Sequence, residues 1–158
     1  MNIKQTDSKD PHIRGWGCLA YSLLDLLPFD FTNDEADYYI HQAIKMGFIL
    51  DNDIPVAKGN KWYRILVKDP ERFLEYVCID KQRKYDIKES VVIRTPFNCL
   101  WRNKFIKLIL EFQTATGSHF LSGKLVDGVP KQKYNPDPSI KLGKLLSIRP
   151  WNIVYTGN

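Results

Sequence analysis

The stretch "RGWGCLAYSLLDLLPFDFT", which runs from Arg14 to Thr32, forms the most apolar helical pattern in the chain and decides the fold. The pattern predicts a helix that begins near Gly17 or Cys18 and ends before Pro28. Its apolar positions go almost all the way round that helix, and a helix of this kind is buried on most faces. We therefore expect a central helix that the rest of the protein covers.

The length and composition indicate one globular domain. A chain of 158 residues can bury a sizeable core, and 44% hydrophobic with 26% charged residues is ordinary for a soluble protein. The longest apolar run is interrupted by Ser22 and Asp25 and is too short to span a bilayer. Residues 1–10 contain no hydrophobic segment of the signal-peptide type. These features predict a cytoplasmic protein without a membrane partner.

The cysteines and histidines do not form a local metal or redox motif. Cys18, Cys78 and Cys99 are an odd number at wide spacings without a CxxC pair, and the three histidines are scattered. This usage is typical of a reduced compartment and predicts neither a metal site nor a cofactor. Cys78 and Cys99 have apolar neighbours, so we expect both to fill the core.

The net charge of +5 and the pI of about 9.0 raise the alternative of a nucleic-acid-binding protein. However, the 23 basic residues are spread along the chain, and the densest cluster, "DKQRK" at 80–84, contains an acid. A mildly basic, solvated surface accounts for this distribution. Nucleic acid is therefore the least favoured partner.

Local signals divide the chain into a helical part, about 17–77, and a β-rich part, about 90–155, within a single domain of residues 1–158. Residues 1–16 are polar and turn-rich and predict an extended lead-in. Thr32 and Glu35 form a capping-box pattern, and Gly47 is a helix stop, so a helix is expected over 33–46. The stretch 61–78 predicts one or two shorter helices, the second starting at Asp69 and Pro70.

The C-terminal half is rich in β-branched and aromatic residues with turn signals between them. Strands are predicted near 91–94, 105–113, 119–126 and 130–135, with a last strand in "LLSIRPWNIVY". "TATG" and "VDGV" predict hairpin turns, and Asp127-Gly128 is the stronger signal. Helices followed by strands indicate an α+β fold rather than an alternating α/β fold.

Cys18 is the first candidate for chemistry because it stands at the start of the central helix. Backbone N–H groups at a helix start carry partial positive charge, so this position is expected to favour the nucleophilic thiolate. Gly15 and Gly17 would allow a tight turn and a close approach of substrate. The alternative is that Cys18 is a small buried residue. Ser22, one turn later, is expected to bond a carbonyl of its own helix.

His119 and a following Asx-Pro segment supply candidate partners. His119 begins a predicted strand directly after the turn, where an imidazole can be presented at the end of a sheet. In "KYNPDPS", Asn135 and Asp137 are two residues apart and point the same way in extended backbone. Either side chain could orient a histidine ring, or the segment could simply be a bend that ends a strand.

With the cysteine, histidine and Asx residues in this order, the chain resembles papain-like cysteine peptidases. It is most similar to the small bacterial and phage members related to the bacteriocin-leader peptidases that cut after double glycine. The matching segments are "RGWGCLAYSLL", "GSHFLSGKLVDG" and "KYNPDPSIKLGKLLSIRPW", so the resemblance covers the two ends of the chain. It implies a papain-like α+β fold, in which the nucleophile helix and other N-terminal helices pack on a C-terminal antiparallel sheet.

The resemblance also implies roles for individual residues. Cys18 would be the nucleophile and His119 the general base. Asn135, or alternatively Asp137, would orient the imidazole, and Gln5 would complete an oxyanion hole. Trp16, Gly17 and Ser118 would line the substrate cleft.

The implied activity is hydrolysis of a peptide or amide bond in a peptide or protein substrate. The Gln5 position departs from the papain pattern, because it lies further from the cysteine. This keeps open the alternative of a papain-like binding module without activity.

Overall fold

The structure is a computed structural model that describes residues 1–55, 61–90, 92–94 and 107–157. After a 3₁₀ turn at Gln5–Asp7, the helices and strands in chain order are α1 Pro11–Trp16, α2 Cys18–Leu24, α3 Asn33–Met46, β1 Ile49–Pro55, β2 Lys61–Val67, α4 Pro70–Asp80, β3 Lys84–Glu89, β4 Ile93–Arg94, β5 Lys107–Thr114, β6 Gly117–Val126, β7 Val129–Tyr134 and β8 Leu145–Gly157.

The strands of the described ranges form two antiparallel sheets. β1 and β2 pair as a separate two-stranded sheet, whereas the main sheet has the order β3-β8-β5-β6-β7, with β4 also paired to β8. The α+β class and the β-rich C-terminal half are thus confirmed. The long strand β8 lies beside β5 in the middle of the sheet, so the end of the chain is built into the fold.

Two N-terminal predictions are wrong. Residues 1–16 are not an extended lead-in, because they contain the 3₁₀ turn and α1. The side chain of Asp10 accepts a hydrogen bond from the backbone N–H of His12 at 2.8 Å, and Pro11 occupies the first helical turn. Residues 61–67 form β2 rather than a helix, because they pair with β1 over seven residues in register.

The predictions that depended on caps and turns are confirmed. α3 spans Asn33–Met46 with a capping box between Thr32 and Glu35, and it stops at Gly47 with φ +80°. Asp69 accepts from the Arg72 N–H and starts α4.

The strand predictions fall close to β5–β8. Asp127 and Gly128 have φ values of 51° and 77°, as a tight hairpin turn requires. Strands β1 and β3 were not predicted, and positions 91, 105 and 106 of the predicted strands lie outside the described residues.

Two hydrophobic clusters cover opposite faces of the main sheet. The larger, called the main core, contains the buried residues of α2, α3 and α4 together with Ile109 and Trp151. The smaller contains Leu108, Leu110 and Ile148. Alternate residues of β5 therefore enter different clusters, as strand geometry requires. None of the helices in the described ranges combines the length and hydropathy that crossing a bilayer needs.

Asp25, at the C-terminal end of α2, connects this helix to the main sheet through its side-chain contacts. Its carboxylate is 3% exposed and accepts a bond from the hydroxyl of Ser122 on β6. The ammonium of Lys133 on β7 lies 3.0 Å from Oδ2, and the amino group of Met1 lies 2.6 Å from Oδ1. A buried carboxylate is tolerated because its oxygens are paired in this way. This network fixes the position of the C-terminal end of α2 relative to β6 and β7.

We expect Asp25→Ala to lower the free energy of unfolding by about 3 kcal/mol, because it leaves the buried Ser122 hydroxyl and the buried Met1 amino group without their acceptor. Urea unfolding followed by circular dichroism measures this loss. Asp30→Ala is the matched control, since Asp30 is exposed and should change stability by less than about 0.5 kcal/mol. Equal effects of the two substitutions would contradict the role of Asp25.

Candidate active site

Helix α2 docks on a part of β6 that the neighbouring strand leaves uncovered. β7 pairs with β6 from Val126 back to Ser122, where the register shifts, and no pairing with β7 is present beyond that point. The backbone of Phe120 is therefore available to α2. Ser22 donates to the Phe120 carbonyl at 3.0 Å, and the Phe120 N–H donates to the sulfur of Cys18. The prediction that Ser22 bonds within its own helix is wrong, because this strand carbonyl takes its hydroxyl.

This docking brings the candidate nucleophile and base into one neighbourhood. The sulfur of Cys18 contacts the peptide group that joins His119 to Phe120. The carboxylate of Asp137 acts electrostatically on both the Cys18 thiol and the His119 imidazole. Cys18 and His119 are 101 positions apart in sequence, yet both lie near the backbone of β6 and near the Asp137 carboxylate.

Gly17 sets the position of Cys18. It ends α1 and precedes α2, and its N–H bonds the carbonyl of Ile13 at 2.8 Å. A Cβ atom at Gly17 would lie 2.6 Å from that carbonyl oxygen and 2.8 Å from the Ile13 side chain. Only glycine fits this junction without displacing α1. Glycine is required at this junction because of its packing against Ile13, and Gly15 lies inside α1 rather than in a turn.

The electrostatics of Cys18 differ from the expectation. Burial raises the pKa of the thiol, and this effect exceeds the opposite effect of the N–H groups of Phe120, Leu19 and Cys18 itself. The nearby carboxylate of Asp137 raises the pKa further. The prediction that a helix start favours thiolate is therefore wrong, although Cys18 as a residue keeps some exposed surface. Desolvation of the sulfur decides the sign.

His119 is held by Asn135. The ring Nε2 lies 2.8 Å from Asn135 Oδ1, and the same oxygen accepts the Asp137 N–H at 3.1 Å. The side-chain atom of Asn135 that accepts the Asp137 N–H must be the amide oxygen, because the amide nitrogen is only a donor. This oxygen can only accept from the His119 ring, so Nε2 carries the proton. Nδ1 is then the nitrogen with a free lone pair, which can accept a proton from a thiol.

His119 is 2% exposed, and its environment favours the neutral ring. Burial lowers the pKa of His119 below its ordinary value, while the bond to Asn135 and the charge of Asp137 act in the opposite direction. The neutral imidazole is therefore the form at neutral pH. Such a ring can act as a base without first losing a proton.

The structure distinguishes the two Asx candidates by their contacts. Asn135 touches the ring, whereas Asp137 Oδ1 accepts bonds from the N–H of Ser139 at 3.2 Å and its hydroxyl at 2.6 Å. Asp137 influences His119 through its charge alone in the described contacts. The proline after Asn135 bends the chain, and the Asx-Pro bend thus holds an orienting side chain as well as ending the strand.

Gln5 is fixed beside the same bend. It is 2% exposed, its backbone N–H donates to the Pro136 carbonyl at 2.9 Å, and its Nε2 donates to the Arg14 carbonyl at 3.0 Å. Its Oε1 is buried and has no donor among the described residues. Nε2 carries a second hydrogen, for which no acceptor is found within the described ranges. Gln5 is therefore a rigid amide close to the Asn135 segment and the residues that precede Cys18.

The remaining predicted residues have mixed placements. Trp16 is partly buried and packs against the main core, next to the glycine that precedes Cys18. Ser118 donates to Glu111 Oε2 at 2.9 Å on the exposed surface of the sheet. By strand alternation, its side chain lies on the opposite face of β6 from that of His119. Cys78 is 2% exposed and fills the core as predicted, while Cys99 lies outside the described residues.

The other two histidines, His12 and His41, pair with aspartates away from Cys18. His12 Nδ1 lies 2.8 Å from Asp51, and His41 Nε2 lies 2.7 Å from Asp10. Within the ranges that the structure describes, no group of three or more His, Cys, Asp and Glu residues could hold a metal ion.

Sequence reasoning missed the Phe120 backbone as a functional group. No side-chain pattern could reveal it, because its availability depends on where β7 separates from β6.

Comparisons with protein-family models, with curated proteins and with solved structures find no match to this chain. The site must therefore be interpreted from its own geometry.

We expect Gly17→Ala to lower the free energy of unfolding by about 1–3 kcal/mol, because the added methyl group displaces the Ile13 carbonyl. Chemical denaturation measures the change. Gly15→Ala is the control, since a Cβ there meets no atom within 4 Å and alanine favours helix. A Gly17→Ala protein as stable as the Gly15→Ala protein would contradict the packing argument.

We expect Asn135→Ala to lower the pKa of His119 still further, because the bond that favours the charged ring is lost. The ring would also lose its fixed tautomer. NMR titration of the His119 ring, with ¹⁵N shifts to identify the protonated nitrogen, measures both changes. Asp137→Asn should lower the pKa but leave the Nε2-protonated tautomer in place. An unchanged tautomer in Asn135→Ala would contradict the orienting role.

Proposed function

We propose that the protein is a cysteine-type hydrolase with a papain-like arrangement of Cys18, His119 and Asn135, which cleaves a peptide or amide bond in a peptide or protein substrate. One observation carries the proposal. The Cys18 sulfur contacts the peptide N–H that directly follows His119, whose ring is in turn held by Asn135 at 2.8 Å. These contacts support the proposal, because thiol hydrolases use a cysteine and a histidine that a third side chain orients.

The resting pair in this mechanism is neutral. The pKa of the thiol is raised and that of the imidazole is lowered, so the proton stays on sulfur until a substrate carbonyl approaches. The Nδ1 lone pair of His119 then accepts the thiol proton as the sulfur attacks the carbonyl carbon. Asn135 Oδ1 accepts the hydrogen bond from Nε2–H throughout and stabilises the imidazolium that forms.

The developing oxyanion needs fixed N–H donors. The backbone N–H of Cys18 and the second Nε2 hydrogen of Gln5 are the candidates. His119 next gives its proton to the leaving amine, which departs and leaves a thioester on Cys18. Water, deprotonated by His119, attacks this thioester, and the acid product leaves as the proton returns to sulfur. Each proton removed by His119 is thus given back within one cycle.

A papain-like binding module without activity is the second candidate, and one observation favours it. Burial raises the pKa of the Cys18 thiol, which disfavours the thiolate form that a resting thiolate–imidazolium pair needs. The side-chain amide of Gln5 also already makes one bond, to the Arg14 carbonyl. These features require proton transfer at the moment of attack if the protein is an enzyme.

Alkylation by iodoacetamide separates the two candidates. We expect Cys18 to react about 10²-fold faster than Cys78 near neutral pH, because His119 removes the proton during attack and Cys78 is buried without a base. The Cys18 rate should rise as the pH passes upward through the lowered His119 pKa, below its ordinary value, and again where the free thiol ionises. Mass spectrometry of tryptic peptides measures each site.

His119→Ala should remove the lower step of this pH profile and leave the upper one. His41→Ala is the matched control, since His41 pairs with Asp10 and should leave both steps unchanged. Labelling of Cys18 at the rate of Cys78, or a profile that His119→Ala does not alter, would contradict the hydrolase and favour the binding module.

A further inference from the structure

Lysines from three neighbouring strands lie together on the face of the main sheet that α2 covers. Lys107 of β5 is the registered neighbour of Lys124 on β6, which in turn is the registered neighbour of Lys131 on β7. Directly opposed residues share a face, and Lys107 is two positions from Ile109 of the main core. Lys133 belongs to the same face, because its ammonium reaches the C-terminal end of α2. We call these four residues the lysine cluster.

Two members of the lysine cluster have partners in the fold. Lys133 pairs with Asp25, whose carboxylate also bonds Ser122. Lys107 donates to the carbonyl of Leu26, just beyond the end of α2. Burial lowers the pKa of the Lys107 ammonium and the charge of Lys133 lowers it further, whereas the charge of Asp25 opposes both effects. The ammonium groups of the cluster are therefore close enough to repel each other.

The other two members, Lys124 and Lys131, have no such role. Both are exposed, and neither ammonium group makes a hydrogen bond or an ion pair with any residue that the structure describes. Like charges directly opposite each other on neighbouring strands destabilise a sheet. Lysine on an edge strand can prevent aggregation, but this reason applies to β7 and not to Lys124 on the inner strand β6. The segment 95–106, which precedes Lys107, contains no Asp or Glu. An anionic partner from outside the chain would relieve the repulsion.

Two exposed valines continue this surface towards the β6–β7 turn. Val126 and Val129 are registered neighbours, and by strand alternation they lie on the same face as Lys124 and Lys131. In the described part of the chain β7 is an edge of the main sheet, so its outer backbone groups have no strand partner there. A polypeptide segment can supply carboxylates for the lysines, apolar side chains for the valines and backbone groups for the edge.

Other anionic partners match this surface less well. Single-stranded nucleic acid is held by aromatic rings as well as basic groups, and among the described side chains no exposed aromatic ring accompanies the lysine cluster. An anionic membrane would meet the exposed Asp127, which stands at the turn between the two valines. The features of the surface therefore favour an acidic polypeptide.

We propose that the lysine cluster and the two valines form a binding surface for an acidic polypeptide segment, whose carboxylates pair with Lys124 and Lys131 and whose apolar side chains contact the valines. This surface is separate from the candidate active site. Lys124 lies five residues beyond His119 on β6, which is about 17 Å along the strand. Binding at the surface therefore does not depend on the proposed activity and can be measured without turnover.

Fluorescence anisotropy with a fluorescein-labelled peptide that alternates glutamate with valine tests the surface. The unaltered protein should bind this peptide, and the binding should weaken as the salt concentration rises, because the lysines are exposed. The double variant Lys124→Gln/Lys131→Gln should bind about tenfold more weakly, since two charge pairs are lost. The matched control is Lys84→Gln/Lys88→Gln, which removes two exposed lysines from β3 at the other edge of the sheet and should leave binding unchanged.

The double variant Lys124→Gln/Lys131→Gln should also be at least as stable in urea as the unaltered protein, because it relieves the repulsion between opposed lysines. A less stable variant would show that these lysines have partners in the fold and would overturn the proposal. A peptide that does not bind, or equal losses of binding in the two double variants, would overturn it as well.

Two further probes distinguish the other partners: a short oligodeoxythymidine, and vesicles of phosphatidylcholine with phosphatidylserine. Tighter binding of either probe than of the peptide, lost in Lys124→Gln/Lys131→Gln, would replace the acidic polypeptide by nucleic acid or by a membrane. The alkylation rate of Cys18 should be the same in both double variants, so failure of this surface and failure of the hydrolase are separate results.

Discussion

The contact between α2 and the uncovered backbone of Phe120 is the constraint on which the candidate site depends. A strand at the edge of a sheet exposes N–H and C=O groups that must find partners. Here β7 separates from β6 after Ser122, and Ser22 and Cys18 take the carbonyl and the N–H of Phe120. The two bonds that pair the backbone groups of Phe120 also hold the Cys18 sulfur next to the peptide group that follows His119.

This arrangement has an electrostatic cost. The docking that orients the sulfur also removes it from water, and desolvation raises the thiol pKa more than three backbone donors lower it. The imidazole is affected in the opposite direction, since burial lowers its pKa. Both pKa shifts favour the neutral forms, so Cys18 is a thiol and His119 is a neutral imidazole rather than a thiolate and an imidazolium. The hydrogen bond to Asn135 and the charge of Asp137 limit the lowering of the His119 pKa. Both residues lie just after β7 in the chain.

Elements with local signals were predictable, whereas elements that depend on pairing were not. The capping box of α3 and the Asp127-Gly128 turn act within a few residues, and both were predicted correctly. Helix α1 has a proper start at Asp10 and Pro11, but Gly15 and Gly17 obscured it because glycine is a poor helix former. Strand β3 is defined by its partner β8 at the far end of the chain, whereas β1 and β2 are neighbours in sequence and are revealed only by their pairing with each other.

The same distinction applies to the candidate site. The order of cysteine, histidine and Asx residues could be taken from the sequence, and in the structure Asn135 bonds the His119 ring while Cys18 lies at the backbone N–H of Phe120. The choice between Asn135 and Asp137 required coordinates, because it depends on the rotation of one bend. The thiol pKa was predicted with the wrong sign, since burial by a distant strand cannot be inferred from the helix that carries Cys18.

The bend after β7 also holds the N-terminal segment in place. Tyr134 donates to the Ile3 carbonyl at 2.8 Å, and the Gln5 N–H donates to the Pro136 carbonyl at 2.9 Å. The N-terminal segment is thus bonded to the two residues that flank Asn135. A segment held in this way positions the Gln5 amide as rigidly as a strand would, although it contributes only a 3₁₀ turn. Helix α1 lies between Gln5 and Cys18 in the chain, so attachment to the Asn135 bend, rather than spacing along the chain, sets where the Gln5 amide lies.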